Sequence, residues 1–402
     1  MADRPPARAA GRRALRFVLL IGVLSFFADF TYEGSRSILG PYLDSLRASA
    51  TAVGVVTGFG ELAGYGLRLV SGRWADATGR FWPITIFGYV VQMASVPALA
   101  LTRTWPEAAL LIILERVGKA LRNPPRDVML SHAARQVGGY GWAFGLHEAL
   151  DQVGAMGGPL VVAYVLARRA GFHEAFAILL IPALLNLTFL LLARWLYPKP
   201  EDLEGGTVPV GVRGMATAFW VYLAGAALVA VGFADYPLIA YHFSRGGIVS
   251  GDWVAIFYAV AMAVSGAGSL LFGRLFDRFG FRVLVLLTLL TALFAPLVFL
   301  GGFAWALVGA ALWGLGTGVH ESIIPAAVAP MVAPERRASA FGLFTAAYGI
   351  FWFLGSSAIG LLYDVSLPAT VAFSLLTQLA ALPFFVWVER HHPQAVAAAG
   401  EA

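Results

Sequence analysis

The feature that most limits this chain is a series of apolar runs, each about 20 residues long. That is the length an α-helix needs to cross a ~30 Å hydrocarbon core. Twelve runs can be placed, at 17–42, 50–71, 83–102, 106–134, 141–166, 175–196, 214–243, 251–273, 283–301, 303–331, 341–363 and 370–388. Lipid offers no partners to backbone N–H and C=O groups, so each run is expected to be a helix that satisfies its own hydrogen bonds. Only 13% of residues are charged and 59% are hydrophobic, whereas soluble domains carry roughly 25% charged residues. A soluble helical protein is therefore excluded.

The net charge of +5 has no polar domain to carry a nucleic-acid surface, so it is read as setting orientation in the membrane. An even number of spans puts both termini on one side. Arg73, Arg80, Arg126, Arg135, Lys199, Arg213, Arg274, Arg278, Arg282, Arg336 and Arg337 fall in or beside the turns on that same side. The opposite turns hold only Arg47, Arg103, Arg168, Arg169 and Arg245. The positive-inside rule then places both termini in the cytoplasm, with the protein in the cell (inner) membrane. The basic N-terminus resembles a signal peptide, but the run after it is too long for one and is kept as the first span. Without cysteine there is neither a disulfide nor a thiolate metal site.

The chain also repeats itself. Gly72-Arg-Trp-Ala-Asp76-Ala-Thr-Gly79-Arg80 lies between the second and third runs. Gly273-Arg-Leu-Phe-Asp277-Arg-Phe-Gly280-Phe-Arg282 lies between the eighth and ninth, with Gly, Asp and Gly at identical spacing. Phe27-Ala-Asp29-Phe30 in the first run returns as Phe233-Ala-Asp235-Tyr236 in the seventh, and Ala143-Phe-Gly-Leu146 in the fifth as Ala340-Phe-Gly-Leu343 in the eleventh. Repeats in one order across half the chain indicate a duplicated bundle, as in secondary transporters. The expected division is a tail (1–16), a six-helix bundle (17–196), a Pro- and Gly-rich linker (197–213), a second six-helix bundle (214–389) and a tail (390–402).

The repeated turn resembles the signature loop of the major facilitator superfamily, Gly-x-x-x-Asp-x-x-Gly-Arg. Gly154-x-x-x-Gly158-Pro159 in the fifth run resembles that superfamily's helix-five motif, which is commoner in exporters. The sequence departs from the pattern at Ala77, Phe81, Phe281 and Val162. The resemblance implies an all-α membrane protein of twelve transmembrane helices in two pseudo-symmetric six-helix bundles. It also implies alternating access, helices one, four, seven and ten around a central cavity, and Asp76 with Arg80, and Asp277 with Arg282, as latches of a gating loop.

Ionisable residues at membrane depth cost roughly 2.5–3.5 kcal/mol each at a helix centre, so they mark function or tight pairing. They are Asp29, Glu33 and Arg36 in the first run, Glu61 and Arg68 in the second, and Glu115, Arg116, Lys119 and Arg122 in the fourth. The fifth has His147, Glu148 and Asp151, the seventh Asp235 and His242, and the tenth His320 and Glu321. The interiors of the third, sixth, ninth and twelfth have none, a period of three helices. Desolvation drives such a carboxyl towards neutrality and a nearby cation holds it charged, so a change in access can load and release a proton. Asp29, Glu33, Glu61, Asp235 and Glu321 are the proton-coupling candidates. Tyr32, Arg36, Glu115, Arg116, Lys119, His242, Trp313 and His320 are the substrate-cavity candidates. Glu148 and Asp151, expected level with Lys119 and Arg122, read as structural ion pairs.

His147-Glu148-Ala-Leu-Asp151 has metal-ligand spacing, but no third ligand is evident in sequence, so no metal and no cofactor is assigned. The expected protein is not an enzyme. It is a monomeric, proton-coupled secondary transporter of a small molecule, exporting by antiport, with the lipid bilayer and protons as its other partners. A symporter of an organic anion is the alternative within transport. A receptor or an intramembrane metalloenzyme is the alternative outside it.

Overall fold

The computed structural model describes residues 7–134, 137, 140–169, 171–199, 217–320, 324, 327–328, 331 and 337–391. These residues form helices α1 (Ala7–Arg36), α2 (Leu39–Ser45), α3 (Ala50–Thr78), α4 (Phe81–Ala98, continued by a 3₁₀ turn Leu99–Leu101), α5 (Trp105–Ala134), α6 (Tyr140–Ala167), α7 (Phe172–Ile178) and α8 (Leu180–Leu196). They continue with α9 (Thr217–Gly232), α10 (Tyr236–Arg245), α11 (Gly251–Phe279), α12 (Phe281–Thr291), α13 (Phe294–Leu300), α14 (Phe303–Gly318), α15 (Arg337–Val365), α16 (Leu367–Ala380) and α17 (Leu382–His391). No strand occurs among the described residues.

Nine segments of this set are long and apolar enough to cross a bilayer unaided. Three further helices complete the twelve spans. α3 has 29 residues but dilutes its apolar content with glycine, Glu61 and Arg68. α5 has 30 residues and carries Glu115, Arg116, Lys119, Arg122 and Arg126. α14 is a shorter apolar helix that leads towards residues outside the described set. The fold is the all-α, twelve-span architecture expected from the runs.

The chain packs as two compact units, Met1–Ser35 with Leu67–Val208, and Arg36–Gly66 with Pro209–Ala402. In the first unit, Phe17, Ile21 and Leu24 of α1 meet Tyr89 and Met93 of α4, Met129 and Leu130 of α5, and Leu190 of α8 in a buried core. Two glycine contacts set its helix spacing. A Cβ at Gly88 would lie 2.7 Å from the Gly118 carbonyl, and one at Gly118 would lie 2.7 Å from the Gly88 carbonyl, so α4 and α5 touch backbone to backbone. A Cβ at Gly154 or Gly158 would run into the Phe26 or Phe30 carbonyl, so the Gly-x-x-x-Gly stretch lets α6 lie directly on α1. Small residues serve this purpose in membranes, where lipid supplies no hydrophobic drive between helices.

In the second unit, α3 lies on α15 through Gly54, Gly58 and Gly360, and α2 lies on α10 through Gly40. Asp364, near the end of α15, accepts from the backbone N–H of Ala50 (3.1 Å) and Thr51 (2.8 Å) and from Thr51 Oγ1 (2.6 Å). It thereby satisfies donors that the first turn of α3 leaves open.

The sequence predicts an unbroken helix over 214–243, and the structure interrupts it. α9 stops at Gly232, Phe233–Asp235 has no helical assignment, and α10 restarts with Pro237 in its first turn. Proline supplies no N–H to the preceding turn. The carbonyls left open are capped from other helices: Ser374 Oγ donates to Gly232 O (2.6 Å) and Trp313 Nε1 to Ala234 O (2.8 Å). The repeated turn is alike in both copies, with Gly79 at φ +63° and Gly280 at φ +64°. Only glycine enters that region at no steric cost.

Candidate functional site

Because α4 and α5 touch at Gly88 and Gly118, Arg122 of α5 reaches across α4. Its Nε donates to Gln92 Oε1 (2.5 Å), its Nη1 donates to Tyr89 Oη (3.0 Å), and its Nη2 lies 3.6 Å from Asp29 Oδ1 of α1. Gln92 Nε2 donates to Glu115 Oε1 (2.8 Å), and Glu115 Oε2 lies 3.6 Å from Arg116 Nε. The Arg116 guanidinium and the Lys119 ammonium lie 4.9 and 4.0 Å from the centre of the Tyr32 ring, within cation–π range. Glu33, one turn beyond Asp29, is buried.

One turn further along α5, Arg126 takes Asp127 through Nε (2.9 Å) and Nη2 (2.7 Å) and donates from Nη1 to Ser25 Oγ (3.1 Å). Ser25 Oγ lies 2.7 Å from His147 Nε2, and His147 Nδ1 lies 3.5 Å from Asp151 Oδ2 on the same face of α6. Glu148 is exposed and accepts from Gln152 (2.9 Å). The structure therefore brings Asp29 to Arg122 and brings Asp151 to His147. His147, Glu148 and Asp151 hold their ligand atoms within 4.8 Å of one another. Arg126 Nη1 and His147 Nε2 meet at Ser25 Oγ, 3.1 and 2.7 Å away, and a guanidinium so close opposes a divalent cation.

The second unit has its own polar centre at the helix break. Asp235, 1% exposed, faces Arg36 Nη2 at 3.3 Å through Oδ1. Its Oδ2 accepts from Trp352 Nε1 and Ser356 Oγ, both at 3.2 Å. Arg36 Nη2 is also 3.5 Å from Glu61 Oε1. His320 stands edge-on to Phe233, ring centres 4.2 Å apart, and to Trp352 at 5.6 Å. Its Nδ1 has no hydrogen-bond partner among the described residues. Trp313 is fully buried and its indole N–H caps Ala234. His242 Nδ1 pairs with Tyr363 Oη at 2.8 Å.

In the repeated turn, Arg80 is exposed, and Arg282 Nε donates to Glu389 Oε1 at 2.8 Å. Gly72 and Gly273 lie within helices α3 and α11. The side chains of Asp76 and Asp277, and all of Glu321, lie outside the described residues. Sequence reasoning missed Ser25, Tyr89, Gln92, Trp352 and Ser356. Each is uncharged, so a search for intramembrane charge passes over it. The one signal was Gln92, an amide inside an otherwise apolar run.

Duplicated spans, a helix broken at membrane depth and carboxylates held by arginines define a multi-pass membrane protein of transporter type. The sequence profile of the Major Facilitator Superfamily matches residues 19–244 and 215–402, and the chain belongs to that family. It is 41% identical over 376 residues to an uncharacterized protein of Mycobacterium tuberculosis, covering 92% of each chain. It is 24% identical over 368 residues to an uncharacterized MFS-type transporter of Methanocaldococcus jannaschii, covering 88% of this chain and 90% of that one. Among solved structures, the nucleoside transporter NupG superposes with a TM-score of 0.71 over 95% of this chain and 99% of that one, at 14% identity. That likeness concerns the fold.

Proposed function

We propose that this protein is a proton-coupled secondary transporter that exports a small molecule by antiport, using alternating access between its two six-helix halves (17–196 and 214–389). One observation carries the reading. The repeated Phe-Ala-Asp motif puts an aspartate at membrane depth in each half, and each faces an arginine: Asp29 with Arg122 at 3.6 Å, Asp235 with Arg36 at 3.3 Å. A carboxylate held by a cation stays ionised. Moving the cation away, or binding a proton, releases the other member of the pair. A pair of this kind exchanges a proton for a contact with substrate, which is what coupling requires. Glu61, 3.5 Å from Arg36, is a further carboxyl of this kind, and Glu33 is a buried carboxyl one turn beyond Asp29. Arg116, Lys119 and Tyr32 offer an anionic or aromatic group a landing point. No step in this reading needs a cofactor or enzymatic chemistry. The basic turns orient both termini to the cytoplasm of the inner membrane, and a monomer suffices.

The test uses purified protein in proteoliposomes, with a substrate found by thermal-shift screening. Asp29→Asn and Glu33→Gln are expected to abolish flux driven by an imposed pH gradient while sparing counterflow. Undiminished driven flux in both variants overturns the reading.

A further inference from the structure

We propose that Asp151 on α6 is a proton-binding residue of the first unit, and that His147 is the positioning residue that presents it. This rests on the proton-coupled reading above and adds a site which that reading did not include. Charge arithmetic is the first argument. Arg122 has Asp29 (3.6 Å) and Arg126 has Asp127 (2.7 Å). Asp151 is left with a histidine, 3.5 Å from its Oδ2. It is only 9% exposed, and its Oδ1 has no hydrogen-bond partner among the described residues. A buried carboxylate without a cation of its own is costly, and a proton on Oδ1 removes that charge.

Hydrogen-bond direction is the second argument. Ser25 Oγ accepts from Arg126 (3.1 Å), so its own hydrogen is free to point at His147 Nε2, 2.7 Å away. Nε2 then accepts, and a neutral imidazole carries its proton on Nδ1, aimed at Asp151 Oδ2. Oδ2 is the oxygen that faces His147, at 3.5 Å, and Oδ1 is the one without a partner among the described residues. The proton comes from water, forms the Oδ1–H bond, and returns to water on release, with no other bond made or broken. The charged groups acting on Asp151 are Asp29 of α1, Arg122 and Arg126 of α5, and Glu148 of its own helix.

The test reads protonation directly, at equilibrium, with neither gradient nor substrate. Infrared difference spectra of the full-length protein in nanodiscs are recorded across a pH titration, following the C=O stretch of protonated carboxyls. Asp151→Asn is expected to lose one titrating component, and Asp29→Asn is expected to keep it with a displaced midpoint. His147→Gln leaves the carboxyl in place and is expected to move its midpoint by about one pH unit or more, the size of shift that a lost specific partner produces. If Asp151→Asn fails to fold, Asp151→Glu is expected to shift the component in frequency. A titrating component unchanged in Asp151→Asn or Asp151→Glu overturns the proposal, and an unmoved midpoint in His147→Gln overturns the role of His147. A titrating Asp151 in a protein that no pH gradient drives defeats the coupling reading and leaves the site standing. Gradient-driven flux with no Asp151 component does the reverse.

Discussion

Arg36 shows what a single side chain decides. It reaches Asp235 at 3.3 Å and Glu61 at 3.5 Å from a buried position. Removing one partner of a buried pair leaves the other charge without compensation, a loss of about 3–5 kcal/mol. Arg36→Gln is therefore expected to lower the thermal unfolding midpoint strongly, and Arg36→Gln with Asp235→Asn to recover much of the loss. Additive losses in that cycle would show that the two residues do not interact.

Asp44, just beyond the end of the first run, gives a pH-dependent counterpart. Partial burial pushes its carboxyl above the ordinary value, against the opposing pull of Arg245 and a hydrogen bond to Ser244. The folded state then holds the proton more tightly than the unfolded chain does. The sign follows: the ionised group destabilises at neutral pH, and the penalty is relieved as pH falls through the carboxylate range. Asp44→Asn is expected to raise the melting temperature at pH 7, with the advantage shrinking as the buffer is acidified towards pH ~4, the unfolded range of an aspartate. A variant less stable than the parent at pH 7 would refute this.

At the scale of elements, the break between α9 and α10 is the most informative feature. Its sequence signal was Pro237, but proline in a membrane helix is often tolerated without a break. The structure keeps this one open because Ser374 and Trp313 cap the carbonyls of Gly232 and Ala234 from elsewhere in the unit. Trp313, expected among the substrate contacts, thus has its one donor engaged with backbone. Trp313→Phe keeps an aromatic ring and removes that donor. It is expected to cost about 1–3 kcal/mol, the penalty of a buried polar group left unsatisfied, and to speed amide exchange around residues 233–236. Unchanged exchange there would mean that water replaces the indole. Helix five was easier to read. Gly154 and Gly158 stood out through the helix-five motif they resemble, and they mark where α6 meets the α1 backbone.

For the whole molecule, the charge bias in the turns on the side of the termini predicts one orientation, with both termini cytoplasmic. A fluorescent protein fused after Ala402 is expected to fluoresce, and a periplasmic phosphatase fused there to stay inactive. The opposite pair of results would invert the orientation and, with it, the direction assigned to export. The two copies of the Phe-Ala-Asp motif show how far duplication extends. Both aspartates meet an arginine, yet Asp29 sits within a continuous α1 while Asp235 sits at a helix break.

From the sequence alone came the class of fold, the twelve spans, the duplicated turn and the short list of charges at membrane depth. Each follows from local quantities: run length, spacing and the cost of a charge in hydrocarbon. Which charge meets which was a tertiary matter. The helical stripe on α5 was read as bringing Arg122 level with Glu148 and Asp151 of α6, whereas Arg122 faces Asp29 of α1. What settled it was the contact of Gly88 with Gly118, which turns Arg122 towards Gln92, Tyr89 and Asp29 and leaves Asp151 to His147. Pairing across helices depends on backbone separations of a few ångströms, set by packing between segments distant in sequence, and no local pattern encodes those.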